Sequence, residues 1–411
     1  MMATPPLAPH VALARRLNLP LAVLFGLGVT IGAGIYVLIG ATAGRAGMHA
    51  PIAFLLAALV MAPTAAVFAE FATRLPVSAG EAAYVEVGFG SKVLAIAVGA
   101  MVIAVGVISA AAIGHGSAGY IRTFIDLPTN LIILTVVVAM GAVAAWGILQ
   151  SVAIAGLMTL IEIGGLLTII IAGVLHSPDL VTRLPEMWTG LTSLPVLTGT
   201  ISATLLAFFA FIGFETLANV AEEVRVPQRT LPRAIFITLV TSTVFYVLVT
   251  WIALVAVPSH ELAAAPAPLS LVFERVTGAS PAAISMIAIV ATINGIIAQI
   301  VMASRVVYGL ADRKLLPSSL AHIAPQTQTP LPATAVVVAA ILVLAIVFPI
   351  ESLAETSARL TLMIFAVVNA ALVQLKRTGG NLPAAHFTVP IAIPIIGCLL
   401  CVALLLGSLF G

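Results

Sequence analysis

The chain has 411 residues, of which 62% are apolar and only 8% are charged, and its mean hydropathy is +1.22. Such a small share of charged residues cannot cover the surface of a soluble globular protein. The composition therefore excludes that class and indicates that the helices are surrounded by lipid. The formal net charge of +2 is too small to favour a nucleic-acid partner. We therefore expect an integral membrane protein.

Apolar runs follow one another along the whole chain and leave no room for a separate soluble domain. A helix needs about 20 residues to cross a hydrocarbon layer of about 30 Å. On that basis the sequence predicts eleven transmembrane helices, at 19–44, 50–73, 89–122, 129–148, 151–175, 199–222, 232–257, 281–311, 332–348, 353–375 and 390–410.

The basic residues indicate how these spans are oriented. With the N-terminus in the cytoplasm, only a minority of the 17 Lys and Arg fall outside, namely Arg45, Arg122, Arg183, Arg275 and Arg359. This distribution follows the positive-inside rule, and the opposite orientation would invert it. We expect a multi-pass protein of the cell (inner or plasma) membrane, with the N-terminus cytoplasmic and the C-terminus outside.

Small residues interrupt the first and sixth spans near their middles, at Gly32 and at Gly213. Close helix packing explains one such glycine cluster, but these two occupy the same place in successive groups of five spans. Matched breaks of this kind indicate an inverted-repeat transporter whose binding site lies at the breaks. The predicted units are a cytoplasmic tail at 1–18, five-helix repeats at 19–175 and 199–375, and an additional C-terminal helix at 390–410.

Five segments together resemble the amino acid–polyamine–organocation superfamily of permeases. They are GVTIGAGIY at 28–36, FAFIGFE at 209–215, the connector at 222–235, the stretch at 304–317, and a loop motif at 76–84 in which Glu81 stands where a second glycine is common. The resemblance implies the five-plus-five, leucine-transporter-type fold, normally with twelve spans. The chain is expected to lack the twelfth, so the resemblance does not imply the family's dimer contact through spans eleven and twelve. A monomer is sufficient for transport, and the oligomeric state stays open.

An amino acid needs donors for its carboxylate and acceptors for its ammonium, and two broken helices supply both from the backbone. N–H groups at Ala33 and Gly34 would bind the carboxylate, because a helix N-terminus favours an anion. Carbonyls near the ends of the inner half of span one and the outer half of span six would bind the ammonium. The predicted substrate-binding set is Thr30, Ile31, Ala33, Gly34, Phe208, Phe209, Phe211 and Ile212.

Four residues are predicted to couple or gate transport. By resemblance, Phe209 is the aromatic lid over bound substrate, or else a core aromatic. Glu215 is an acid inside a span, where a charge is costly, so it is a protonatable gate or a structural acid bonded to the unwound backbone. Glu162 lies where several relatives carry a lysine, and it is a protonatable coupling group, a cation ligand or a permanently neutral packing residue. Asn294 either hydrogen-bonds between helices or contributes to a site.

The leading interpretation is alternating-access amino acid transport by proton symport or by exchange, with neutral or aromatic substrates favoured. An amino-acid sensor and an amine or polyamine exchanger are the alternatives on the same fold. A membrane enzyme or a channel is disfavoured, because no metal-spaced cluster, nucleophile motif or ring of pore-lining polar residues is evident. No cofactor is expected, since a proton or counter-substrate gradient would drive transport, and sodium stays an alternative. Glu70 and Arg74 are predicted to form a surface pair of little energetic consequence.

Overall fold

The computed structural model describes residues 17–75, 80–146, 152–312, 314, 316–379 and 387–408. Eight apolar segments are long enough to cross a membrane, the first of which contains two helices, and two shorter apolar helices complete the set. We number the spanning helices of these ranges in chain order: α1 Leu19–Ala46, α2 Ala50–Arg74, α3 Lys92–Ile121, α4 Thr129–Trp146, α5 Val152–His176, α6 Leu194–Phe211, α7 Pro227–Ala256, α8 Ala282–Asp312, α9 Leu331–Val347, α10 Ile350–Thr378 and α11 Ala392–Gly407. The predicted all-α membrane fold is confirmed, and the described residues contain apolar helices at the positions of all eleven predicted spans.

Polar caps fix where several of these helices begin and end. The side chain of Asn18 accepts a hydrogen bond from the Leu21 N–H at 3.1 Å at the start of α1, and Ser91 does the same for Leu94 at 3.3 Å at the start of α3. Gly379 adopts a left-handed conformation after α10, where glycine is preferred. Between such caps the helices satisfy their own backbone groups, as lipid requires.

The predicted bounds differ from the observed ones mainly beside the connectors. Helix α7 begins at Pro227 and contains Pro232, whereas the sequence predicted that Pro232 would start it. A separate short helix, Gly80–Phe89, precedes α3 on the cytoplasmic side of the predicted topology. Most of the predicted tail at 1–18 and residues 76–79 of the loop motif lie outside the described residues.

The helices pack as two groups that meet around α1. In one group, α1 and α2 pack against α6 and α7; in the other, α3 packs against α8, α9 and α10. Helix α5 contacts α1 and α8 and therefore lies between the groups, while α11 packs on α2 and α10. Leu, Val and Ile side chains on the outward helix faces are exposed, as expected for a surface that meets lipid. The broken parts of α1 and α6 are thereby held at the centre of the molecule.

Candidate functional site

The first break lies in α1 at Gly32, whose backbone angles of φ −8° and ψ −123° are not helical. A break of this kind leaves carbonyls before it and N–H groups after it without intrahelical partners. The predicted site residues Thr30, Ile31, Ala33 and Gly34 surround the break, and all of them are buried. The structure thus places the interrupted backbone of α1 in the protein interior.

The second break follows α6, which ends at Phe211. Ile212 is extended, and Gly213 has a φ of +136°, which a residue with a Cβ rarely adopts. The chain resumes as a short helix, Thr216–Asn219. The Gly213 N–H donates to Oε2 of Glu215 at 2.9 Å, so this buried carboxyl group caps the unwound backbone.

The two breaks lie directly against each other. A Cβ built on Gly34 would lie 2.6 Å from the Cα atom of Ala210 in α6. Conversely, a Cβ on Gly213 would lie 2.8 Å from the Val29 side chain and 2.9 Å from its backbone. Glycine at both positions therefore allows the helices to cross at contact distance, and the two breaks meet at one place.

Tyr246 of α7 joins the two breaks. Its buried hydroxyl group lies 2.6 Å from the Thr30 carbonyl oxygen of α1 and 2.7 Å from the Ala210 carbonyl oxygen of α6. A hydroxyl group has a single proton, so two carbonyl oxygens compete for one donor. One acceptor therefore always has bonding capacity left for a further donor, such as an ammonium group.

The carbonyls predicted to accept from an ammonium differ in how far they are paired. The Phe209 carbonyl oxygen accepts from the Ile212 N–H at 3.1 Å, and the Thr30 carbonyl oxygen accepts from Tyr246. The Ala210 carbonyl, which the sequence did not single out, shares that tyrosine. The acceptor pair that spans both breaks is thus Thr30 and Ala210.

Glu162 lies in α5 behind the break of α1 and is fully buried. Its Oε1 atom accepts from the Asn294 amide of α8 at 3.1 Å, so the structure brings together these two predicted coupling residues. Its Oε2 atom has no hydrogen-bond partner among the described residues. The Tyr36 hydroxyl of α1 donates to the backbone carbonyl of Glu162 at 2.7 Å and fixes α5 against the outer half of α1.

An apolar wall faces the break of α1 on the side of α3 and α8. A Cβ on Gly295 of α8 would lie 3.3 Å from both Ala33 and Ile113, so helices α1, α3 and α8 meet at this point. Ile113 is buried and has no polar atom in its side chain. The surroundings of the break are therefore small and aliphatic on this side.

A small cavity of about 20 Å³ lies beside the second break, and Glu215 and Glu81 both line it. The sequence placed Glu81 at an unusual position of the loop motif, and the structure brings it next to the predicted gate. A space of that size holds about one water molecule. Met302 of α8 and Thr361 and Phe365 of α10 also line this cavity.

The phenylalanines of the second break differ in their surroundings. Phe208 packs edge-on against Phe365, and Phe211 packs against Tyr246 with ring centroids 4.8 Å apart. Phe214 contacts Phe68 and Phe365, so these three side chains belong to the packed interior. Phe209 is also buried, at 4% exposure, but its ring contacts no other aromatic ring among the described residues.

Glu70 and Arg74 do form the predicted ion pair, but the prediction that it lies at the surface is wrong. The Glu70 side chain is fully buried and forms ion pairs with both Arg74 and Lys376 at 2.8 Å. It also accepts from the Val389 N–H at 2.8 Å. Glu70 therefore joins α2, α10 and the segment before α11, a set of contacts that spacing along one helix cannot reveal.

Sequence reasoning missed Tyr246, Ile113 and Gly295 as members of the site. Tyr246 carried a usable signal, because the chain has only five tyrosines and a phenol inside an apolar span needs an acceptor. Ile113 and Gly295 carried none, since aliphatic and small residues are common in every span.

Comparison with known proteins agrees with this arrangement. A family model described as amino acid permease matches residues 17–411. The branched-chain amino acid permease of Bacillus subtilis (strain 168) is 29% identical over 409 residues, covering 93% of this chain and 86% of that protein.

Two further relatives show the breadth of the family. The vacuolar cationic amino acid transporter 4 of Arabidopsis thaliana is 29% identical and covers 90% of this chain, which spans 64% of that protein. The methylthioribose transporter of Bacillus subtilis (strain 168) is 27% identical and covers 95% of this chain and 87% of that protein. The match over nearly the whole chain, with both helix breaks in place, shows that the protein belongs to the amino acid permease family of the amino acid–polyamine–organocation superfamily.

Proposed function

We propose that this protein is a secondary active transporter that carries an amino acid across the cell membrane by alternating access, driven by a proton gradient. The observation that carries the proposal is the meeting of two unwound helix segments beside a buried acid. The N–H groups at Ala33 and Gly34 bind the substrate carboxylate, because the outer half of α1 begins there. The carbonyls of Thr30 and Ala210, which share the Tyr246 proton, bind the ammonium.

Glu162 is the proposed proton carrier. A charged carboxylate in this fully buried place would have one hydrogen-bond donor, Asn294, and no described cation beside it. Such a charge is costly, so the neutral, protonated form is favoured when the site is closed to water. The loaded carrier therefore takes one proton across with each substrate and releases it when Glu162 meets water.

The proposed substrates are neutral amino acids with aliphatic side chains. The wall made by Ala33, Ile113 and Gly295 has no polar side chain, so it favours a hydrocarbon group and gives a charged one no partner. The similarity to the branched-chain amino acid permease of Bacillus subtilis supports the same class. Phe209, which lies next to the break and contacts no other aromatic ring among the described residues, is the proposed lid.

The test is uptake of tritiated leucine into proteoliposomes, with and without an inward proton gradient. In the wild type the gradient should drive accumulation. Glu162→Gln keeps an acceptor for Asn294 and resembles the protonated form, so exchange of internal for external leucine should continue while gradient-driven accumulation is lost. Glu274→Gln is the matched control, since Glu274 is an exposed acid far from the breaks along the chain.

Three results would count against parts of this proposal. Accumulation by Glu162→Gln at the wild-type level would remove Glu162 as the carrier. Wild-type uptake that is the same with and without the proton gradient, but that requires amino acid inside the proteoliposomes, would indicate an exchanger. No uptake of leucine, valine or alanine would contradict the proposed substrate class.

A further inference from the structure

Three arginines lie at the beginning of α7 and in the segment just before it. Arg225 precedes the helix, and Arg229 and Arg233 lie one turn apart within it. All three residues are exposed. In the predicted orientation this end of α7 faces the cytoplasm, so the arginines belong to the inner side of the membrane.

Arg229 and Arg233 continue the lipid-facing side of α7. The next turns of the helix expose Ile237, Val240 and Val244, which we call the apolar stripe. At about 3.6 residues per turn, the stripe and the two arginines share one face of the helix. Arg233 lies one turn, about 6 Å, before Ile237, a distance that matches the headgroup layer beside the hydrocarbon core. The arginines are therefore at the level of the lipid headgroups.

These guanidinium groups differ from most others in the protein because they have no acidic partner in the part of the chain that the structure describes. Six other arginines form ion pairs with a carboxylate, namely Arg45, Arg74, Arg122, Arg183, Arg275 and Arg359. Three neighbouring positive charges without a countercharge attract an anion from outside the protein.

The segment that carries Arg225 is held in place by the start of α1. The Leu17 N–H donates to the Glu223 carbonyl oxygen at 3.0 Å, and the Arg225 N–H donates to the Leu17 carbonyl oxygen at 3.0 Å. Leu17 and Val224 are both buried. The backbone that presents the arginines is therefore ordered before a ligand arrives, which lowers the entropic cost of binding.

We propose that Arg225, Arg229 and Arg233 form a binding site for an anionic phospholipid of the inner leaflet. The guanidinium groups bind the phosphate oxygens of the headgroup, for which their planar set of donors is suited. The acyl chains lie along the apolar stripe of the same helix. A lipid thus contacts both the charged and the apolar part of this surface, whereas a soluble anion contacts only the charged part.

Native mass spectrometry of the purified full-length protein in detergent tests this site. It compares dioleoylphosphatidylglycerol, which is anionic, with dioleoylphosphatidylcholine, which has the same acyl chains and no net charge. The wild type should bind the anionic lipid preferentially. Each basic side chain at an anionic membrane surface contributes about a factor of five, so Arg229→Gln/Arg233→Gln should weaken phosphatidylglycerol binding by about 25-fold.

Lys92→Gln/Arg305→Gln is the matched control. It removes the same number of exposed positive charges on the same predicted side of the membrane, at the start of α3 and within α8. Its binding of phosphatidylglycerol should remain at the wild-type level.

Thermal unfolding gives a second measurement, because a ligand that binds the folded protein stabilises it. Phosphatidylglycerol should raise the unfolding midpoint of the wild type and of the control variant, but not that of the arginine variant. Without lipid all three proteins should unfold at the same midpoint, since the replaced side chains are exposed.

Several results would overturn the site. They are equal binding of the two lipids by the wild type, wild-type binding by the arginine variant, and an equal loss in the arginine and control variants. Displacement of the lipid by inorganic phosphate or by a hexaglutamate peptide, at the concentration of the lipid, would assign the arginines to a soluble anion instead. None of these measurements requires transport, so their outcome is independent of the proposed function.

Discussion

Tyr246→Phe removes one hydroxyl group at the junction of the two helix breaks and leaves the aromatic ring in place. The ring centroid lies 5.5 Å from that of Phe54 and 4.8 Å from that of Phe211, and phenylalanine preserves both contacts. The hydroxyl is 2.6 Å from the Thr30 carbonyl and 2.7 Å from the Ala210 carbonyl. The substitution therefore isolates the hydrogen bonds between α7 and the breaks.

The expected cost follows from the environment of these atoms. A buried acceptor that loses its donor costs about 1–3 kcal/mol, and one proton is shared by two acceptors, so we expect about 2 kcal/mol in the free energy of unfolding. The same carbonyls are proposed to bind the substrate ammonium, and without the hydroxyl their positions are no longer fixed. We expect this to cost about 1.4 kcal/mol of the ammonium's binding energy, which corresponds to a factor of ten, so the KM for leucine should rise by about tenfold.

The assays are thermal unfolding in detergent and leucine uptake as a function of concentration. Tyr84→Phe is the matched control, because Tyr84 is fully buried but its hydroxyl has no partner among the described residues. We expect Tyr84→Phe to unfold at or above the wild-type midpoint and to keep the wild-type KM. Tyr246→Phe with an unchanged KM and unfolding midpoint would refute the role assigned to the hydroxyl.

Two further predictions concern the contacts around the site. Gly213→Ala should abolish uptake, because alanine is strained at a φ of +136° and its Cβ would lie 2.9 Å from the Val29 backbone. Gly164→Ala in α5, which has open space around its Cβ position, is the control, and equal uptake by both variants would contradict this packing. Glu70→Gln should lower stability by about 3 kcal/mol, because it removes the buried negative charge with which both Arg74 and Lys376 form ion pairs. Chemical unfolding of Glu70→Gln beside Glu86→Gln measures this difference, and a loss below about 1 kcal/mol would show that the network is not stabilising.

The sequence identified the elements that hydrophobicity and helix length control. The apolar helices, their order and the interruptions at Gly32 and Gly213 follow from apolar runs and from residues that break helices, and the described residues show them at the predicted positions. The superfamily was also recognised from local motifs, and the family match confirms it. These properties are local along the chain, so one sequence was enough to determine them.

Other features depend on which helices come together, and only the tertiary structure decided them. Tyr246 reaches both breaks across 216 and 36 positions of sequence, and Glu162 meets Asn294 across 132. Glu70 looked like an exposed i, i+4 pair, but α10 and the segment before α11 cover it. The spacing of residues within a helix defines its faces, whereas the partner of each face is fixed by how all eleven helices pack. For this reason the sequence determined the spans and their breaks, and the packing determined the site.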